Sequence, residues 1–236
     1  MSGVGLSVGY AAIGGAAVLG GAVLTTRVDL SRRTRSLVQH AAAGTVLAGL
    51  VVDVFAKLLH RAQLWPTTIG MLIGLAGMLA IRAFLGGEGD ADGGGPGSLV
   101  VTVLSDILVD GVLIGLSAAL GSGTGLLFAI ALAPEMGLLG VTAAGSLRAR
   151  WSDRTVVSTA AAIGAAITGA GALGWLVAQG PSWLATGVLG LGASVITYLI
   201  MEELLREGHE IDTGAWEVGV LFGCFLPFFL AGLATG

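Results

Sequence analysis

Charge is what this sequence has least of. Asp, Glu, Lys and Arg together make up 11% of its 236 residues, less than half of the roughly 25% usual in a soluble domain. That excludes a water-soluble globular surface. One cysteine, Cys224, excludes an intrachain disulfide and reads as a small buried hydrophobe. The formal net charge of −4 leaves no basic surplus, which argues against a nucleic-acid partner. No nucleophile–base pair or histidine-based metal motif is visible, so an enzyme is not expected. The first apolar block lacks a basic leader and is too long for the apolar core of a signal peptide; we read it as a true membrane span.

What is present is apolar sequence in long blocks. Hydrophobic residues make up 55% of the chain, with a mean hydropathy of +0.92. Eight segments have the length of about 17–25 residues that crosses a bilayer. They run over 5–26, 36–59, 64–85, 99–120, 123–146, 156–178, 183–206 and 216–235. The expectation is an all-α membrane protein of eight transmembrane helices, forming one domain over 1–236. Between spans 3 and 4, GGEGDADGGGPGS at 86–98 reads as a flexible acidic linker.

Basic residues set the orientation. Arg27, Arg32, Arg33, Arg35, Arg82, Arg148, Arg150, Arg154 and Arg206 follow odd-numbered spans, while only Lys57 and Arg61 follow an even one. The positive-inside rule then places both termini outside the cell (inner) membrane. Small residues recur at helical spacing at Gly111 and Gly115, at Ala165 and Gly169, and at Gly187, Gly190 and Gly192. Such stripes predict close helix packing.

Six acids fall within or at the edge of the spans: Asp53, Asp106, Asp110, Glu135, Glu202 and Glu203. Asp53 has a basic residue at i+4 on its own helix, Lys57, and the two can pair along it. Asp106 and Asp110 are also four apart and share one helical face. Two such anions persist in a membrane if a cation sits between them or if one stays protonated. Intramembrane carboxylates usually mark ion or proton pathways.

Span 5 supplies the complement in IALAPEMG. Pro134 leaves the carbonyl of Ile130 without its helical donor, beside the carboxylate of Glu135. A short turn near Gly121 makes spans 4 and 5 an antiparallel hairpin, so Asp106 and Glu135 should match in depth. Asp106, Asp110, Glu135 and a freed carbonyl form an all-oxygen ligand set, which favours Mn²⁺, Mg²⁺, Ca²⁺ or Fe²⁺ over softer ions, with Zn²⁺ less suited. His40 and His60, at the two ends of span 2, read as interfacial polar residues. The end of span 7, YLIMEELLREGHE, gathers Glu202, Glu203, Glu207 and His209, a candidate cytoplasmic release site for a cation.

These residues resemble the ZIP metal-ion transporters. Span 2, AAAGTVLAGLVVDVF, is similar to the family's second helix. Span 5 matches its His-Asn-x-Pro-Glu-Gly motif at Pro134 and Glu135, and the end of span 7 resembles its acidic seventh-helix tail. In span 4 the motif's histidine and glutamate positions fall on Asp106 and Asp110, with Gly111 retained. In span 5 its histidine position falls on Ala131. Span 6 carries no acid. The resemblance implies a ZIP-like 3+2+3 arrangement with inverted repeats, and divalent-cation uptake towards the cytoplasm through one oxygen-only site. It implies a pathway between spans 2, 4, 5 and 7, which adds Asp53 and Glu203 as metal-facing candidates. No cofactor is expected beyond the transported cation, and a homodimer is a candidate assembly in the lipid bilayer. Two other readings stay open: a proton-coupled carrier of a non-metal solute, and a non-transporting membrane scaffold or sensor.

Overall fold

Helix starts are written locally. Ser31 and Ser152 each accept a hydrogen bond from the backbone amide three residues on, at Thr34 (3.1 Å) and Thr155 (3.3 Å). Each thereby satisfies a helix-end donor that would otherwise have no partner. Three of the five prolines stand at or near helix starts (Pro66, Pro96 and Pro181), where a missing amide hydrogen matters little. The other two, Pro134 and Pro227, lie inside helices that run on through them.

The computed structural model describes residues 3–28, 31–85, 96–148, 151–205 and 215–235; the side chains at 32, 84–85, 96–107, 122, 203 and 215 are not among those described. The described chain is helical, with short turns between helices and no strand. Helix α1 is Gly3–Thr25. Helix α2 begins as Arg32–Gly49 and continues through a π-helical turn, Leu50–Phe55, into Ala56–Arg61. Helices α3 (Leu64–Leu85), α4 (Pro96–Leu120), α5 (Ser122–Arg148) and α6 (Asp153–Gln179) follow. Helix α7 is Ser182–Leu199 with a second π-helical turn, Ile200–Leu205, and α8 is Ala215–Thr235. Seven of these rods are long and apolar enough to cross a membrane, and Leu108–Leu120 is the described apolar part of α4.

Each expected segment coincides with one helix, with ends differing by at most four residues. The linker at 86–98 is shorter than expected: α4 already starts at Pro96, and 86–95 lies outside the described residues. A proline preset near the helical φ favours that earlier start.

Helices α1, α4, α5 and α6 pack on one another, α3 lies along α7, and α8 lies along α2. Exchanging α1 with α6, α2 with α7, α3 with α8 and α4 with α5 leaves this set of pairings unchanged. The α1–α5 contact becomes α6–α4, and α2–α8 becomes α7–α3. Glycines set the closeness of the crossings. A Cβ built on Gly15 of α1 would lie 2.5 Å from the carbonyl oxygen of Gly164 on α6, and one on Gly164 would lie 2.7 Å from that of Gly15. Gly111 and Gly115 of α4 press on α6, and Gly190 of α7 on α3, as their spacing predicts.

Span 6 differs from expectation. Ala165 and Gly169 face outward, and nothing lies within 4 Å of a Cβ on Gly169. The buried stripe is Ala160, Gly164, Ile167, Gly171 and Gly174. This helix is small-residue-rich all round, so spacing alone offers two registers, and the partners Gly15 and Gly115 choose between them.

The outer helices expose apolar side chains, including Leu72, Ile73 and Leu79 on α3 and Phe222, Leu226 and Leu230 on α8. In water that surface would be a large liability; in lipid it is the solvated face. Trp65 and Trp183, at the starts of α3 and α7, are also exposed, as expected of aromatic residues at the level of the headgroups.

Candidate functional site

The α4–α5 helix pair carries two buried carboxylates. Asp110 on α4 is 0% exposed and Glu135 on α5 is 4% exposed. Only Gly121 separates the two helices. Asp110 lies ten residues before the end of α4 and Glu135 thirteen after the start of α5. At 1.5 Å per residue they are about 15 and 20 Å from the shared turn, within roughly one helical turn of each other in depth. Buried Leu113, Ile114, Leu132 and Met136 neighbour them along their helices. Asp106 is one turn further along α4, and its side chain lies outside the described residues. Among the described residues, no group of three or more His, Cys, Asp or Glu side chains is disposed to hold a metal.

Pro134, which has no amide hydrogen to give the Ile130 carbonyl, lies inside α5 one residue before Glu135. Helix α5 continues through it, and Ile130 turns its side chain outward, 41% exposed. The next carbonyl, Ala131, accepts a 2.9 Å hydrogen bond from buried Thr45 of α2, which also donates to Ala42. Thr45 ties α2 to α5 one turn from Glu135. It sits in AAAGTVLAG, where a lone hydroxyl among small residues was the available signal.

At the end of the bundle where α2 and α4 finish, the π-helical turn of α2 carries Asp53, 0% exposed. Such a turn inserts one residue per cycle and so re-aims the side chains beyond it. One carboxylate oxygen, Oδ1, accepts from the Lys57 ammonium, and the other, Oδ2, accepts from the Ser117 hydroxyl of α4. Lys57 Nζ also donates to Ser117 Oγ at 2.6 Å, to the Ser117 carbonyl at 3.2 Å and to Thr124 Oγ1 of α5 at 3.3 Å. The expected i,i+4 pair is present, then, but as part of a four-residue cluster. Ser117, the lone polar residue of VLIGLSAAL, and Thr124 did not stand out in the sequence.

The opposite end carries a second acid in a π-helical turn. Glu202 of α7 accepts from Arg82 of α3 at 2.8 Å, and Arg82 also reaches the Tyr198 hydroxyl at 3.4 Å. Both charged side chains are more than a third exposed, so water screens the pair. Of the expected release cluster, Glu202 is therefore ion-paired across two helices. The side chain of Glu203, and Glu207 and His209 entirely, lie outside the described residues.

His40 departs from expectation. It is 1% exposed, with Nδ1 2.9 Å from the Ser36 carbonyl, and Ser36 and Gln39 are buried beside it. Helix α2 starts at Arg32, four residues earlier than its apolar pattern does, so His40 lies about two turns inside the helix and is buried in the protein instead of exposed at a helix end. His60 is exposed, as an interfacial residue should be.

A groove of about 410 Å³ lies between the starts of α3 and α7, lined by Trp65, Ile69, Trp183 and Leu191 among others. No ionisable side chain lines it, so it takes no part in the carboxylate chemistry. Compared with known proteins, the chain matches no protein-family model and no curated protein sequence.

Proposed function

We propose that this chain is a ZIP-like membrane transporter that moves a divalent metal cation towards the cytoplasm, with Asp106, Asp110 and Glu135 as the carboxylates of its central site. The observation that carries the reading is the burial of Asp110 and Glu135 at similar depth along an antiparallel helix pair. Two carboxylates are costly in an apolar bundle, and a dication offsets that cost with hard oxygen ligation. The eight-helix order and the pairing pattern that survives exchange of α1–α3 with α6–α8 support an inverted-repeat architecture. The concentration of arginines after odd-numbered spans supports termini outside. Fold likeness does not set the cargo, so the ligand chemistry must.

Flux into proteoliposomes tests it, across Mn²⁺, Fe²⁺, Zn²⁺, Mg²⁺ and Ca²⁺. The expected result is uptake of at least one hard dication, reduced at least tenfold by Asp110→Ala and by Glu135→Ala. Flux of none of these ions, or flux indifferent to both substitutions, would overturn the reading. Flux of another solute that follows a pH gradient and persists in chelator would instead identify a proton-coupled carrier.

A further inference from the structure

The cluster around Lys57 has the composition of a cation site. Four oxygens face its nitrogen: Asp53 Oδ1, the hydroxyl and the backbone carbonyl of Ser117, and the hydroxyl of Thr124. They come from three helices, α2, α4 and α5. The side chain of Lys57 is 14% exposed and that of Asp53 0%, so this is not a pair solvated at the surface. Ser117 Oγ serves both charges, accepting from the ammonium and donating to the carboxylate. Both groups are thereby held in one geometry.

We propose that the Lys57 ammonium is a tethered occupant of a site shaped for a monovalent cation, and that this occupant clamps α2 to the α4–α5 turn. The charge of the oxygens selects the class. One carboxylate and three neutral oxygens sum to −1, which a single positive charge neutralises. A dication there would leave one uncompensated charge in apolar surroundings, which is strongly unfavourable. Oxygen-only ligation selects a hard cation, and the single negative charge of the set makes it a monovalent, alkali one. With Lys57 in place, the site is closed to ions from solution. Without it, Asp53 is a buried anion facing two hydroxyls and a carbonyl, and an alkali cation can take the vacated position. The inference is independent of what the central site carries.

The test uses full-length protein purified in detergent: wild type, Lys57→Met, which keeps most of the stem volume without the charge, and Asp53→Asn/Lys57→Met. Thermal unfolding is compared in LiCl, NaCl, KCl and choline chloride at equal ionic strength. Wild type is expected to unfold at the same temperature in all four salts. Lys57→Met is expected to rise saturably in at least one alkali salt, by roughly 5–10 °C at about a hundredfold excess over the dissociation constant. The double variant is expected to show no such rise. In Lys57→Met/Ser117→Ala the half-saturating concentration should increase at least tenfold. A Lys57→Met protein as indifferent to alkali ions as wild type would mean a plain structural ion pair and would overturn the proposal. So would an equal response of wild type or of the double variant. Lys57→Gln repeats each arm with a different tip. Recovery of either single variant only in alkali salts supports the proposal. Loss of both in every salt, while Asp53→Asn/Lys57→Met is recovered, overturns it.

Discussion

Two glycines two residues apart on α6 should respond to the same substitution with opposite signs. A Cβ on Gly171 would stand 2.6 Å from the Cβ of Ala11 and 2.8 Å from the carbonyl oxygen of Ser7, whereas a Cβ on Gly169 meets nothing within 4 Å. Ordinary van der Waals contact begins near 3.4 Å. Gly171→Ala therefore forces α1 and α6 apart by close to an ångström. Ser7 also donates a buried 2.8 Å hydrogen bond from Oγ to the Gly115 carbonyl, so the displacement also strains the contact between α1 and α4. Overpacking of this kind costs about 1–3 kcal/mol. Gly169→Ala carries only the helix-propensity gain, at most about 1 kcal/mol. The two variants should differ by about 1–4 kcal/mol. Thermal unfolding in one detergent, followed by circular dichroism, reads this as midpoints on either side of wild type. If the two variants shift together, or Gly171→Ala is neutral, the α1–α6 crossing described above is wrong.

Thr45→Val removes the hydroxyl bound to the Ala131 carbonyl at 2.9 Å. The expected loss is about 0.6–1 kcal/mol, in line with interhelical hydrogen bonds in membranes. Thermal unfolding measures it, and an unchanged midpoint would count against that bond. Ala62, which caps α2 with φ 52° and ψ 30°, sits where a side chain is strained and glycine is not. Ala62→Gly is expected to stabilise by about 0.5–1 kcal/mol in the same assay, and a destabilised variant would refute the left-handed cap.

Much of the helical layout was legible because each span announces itself by length and apolarity alone. Pairing of α4 with α5 was legible from the shortness of the glycine-rich turn between the two apolar segments. The register of α6 was not, because Ala165 and Gly169 repeat the spacing of the buried stripe and only a partner distinguishes the two. Neither π-helical turn left a periodic signal, since one inserted residue shifts the pattern by less than a turn. For the candidate site, Asp110 and Glu135 stood out because a carboxylate in an apolar span has few bland explanations. Ser117, Thr124 and Thr45 did not, because hydroxyls cross membranes cheaply and acquire meaning only from what faces them. The Arg82–Glu202 pair joins residues 120 positions apart, beyond the reach of any local pattern.

Placing Asp53 and Lys57 on one helix has a consequence for how the chain enters the membrane. A lone carboxylate or ammonium in a span is costly to insert, up to about 2.5–3.5 kcal/mol at the helix centre and less towards the ends where these two stand, against gains of roughly 0.3–0.6 kcal/mol for each Leu, Ile, Phe or Val. Four residues apart, the two can meet as soon as α2 is wound, before α4 has been synthesised to contribute Ser117. The insertion machinery then handles a segment whose charges already cancel. A lysine carried by α4 instead would have left Asp53 alone in the bilayer until the third and fourth helices arrived.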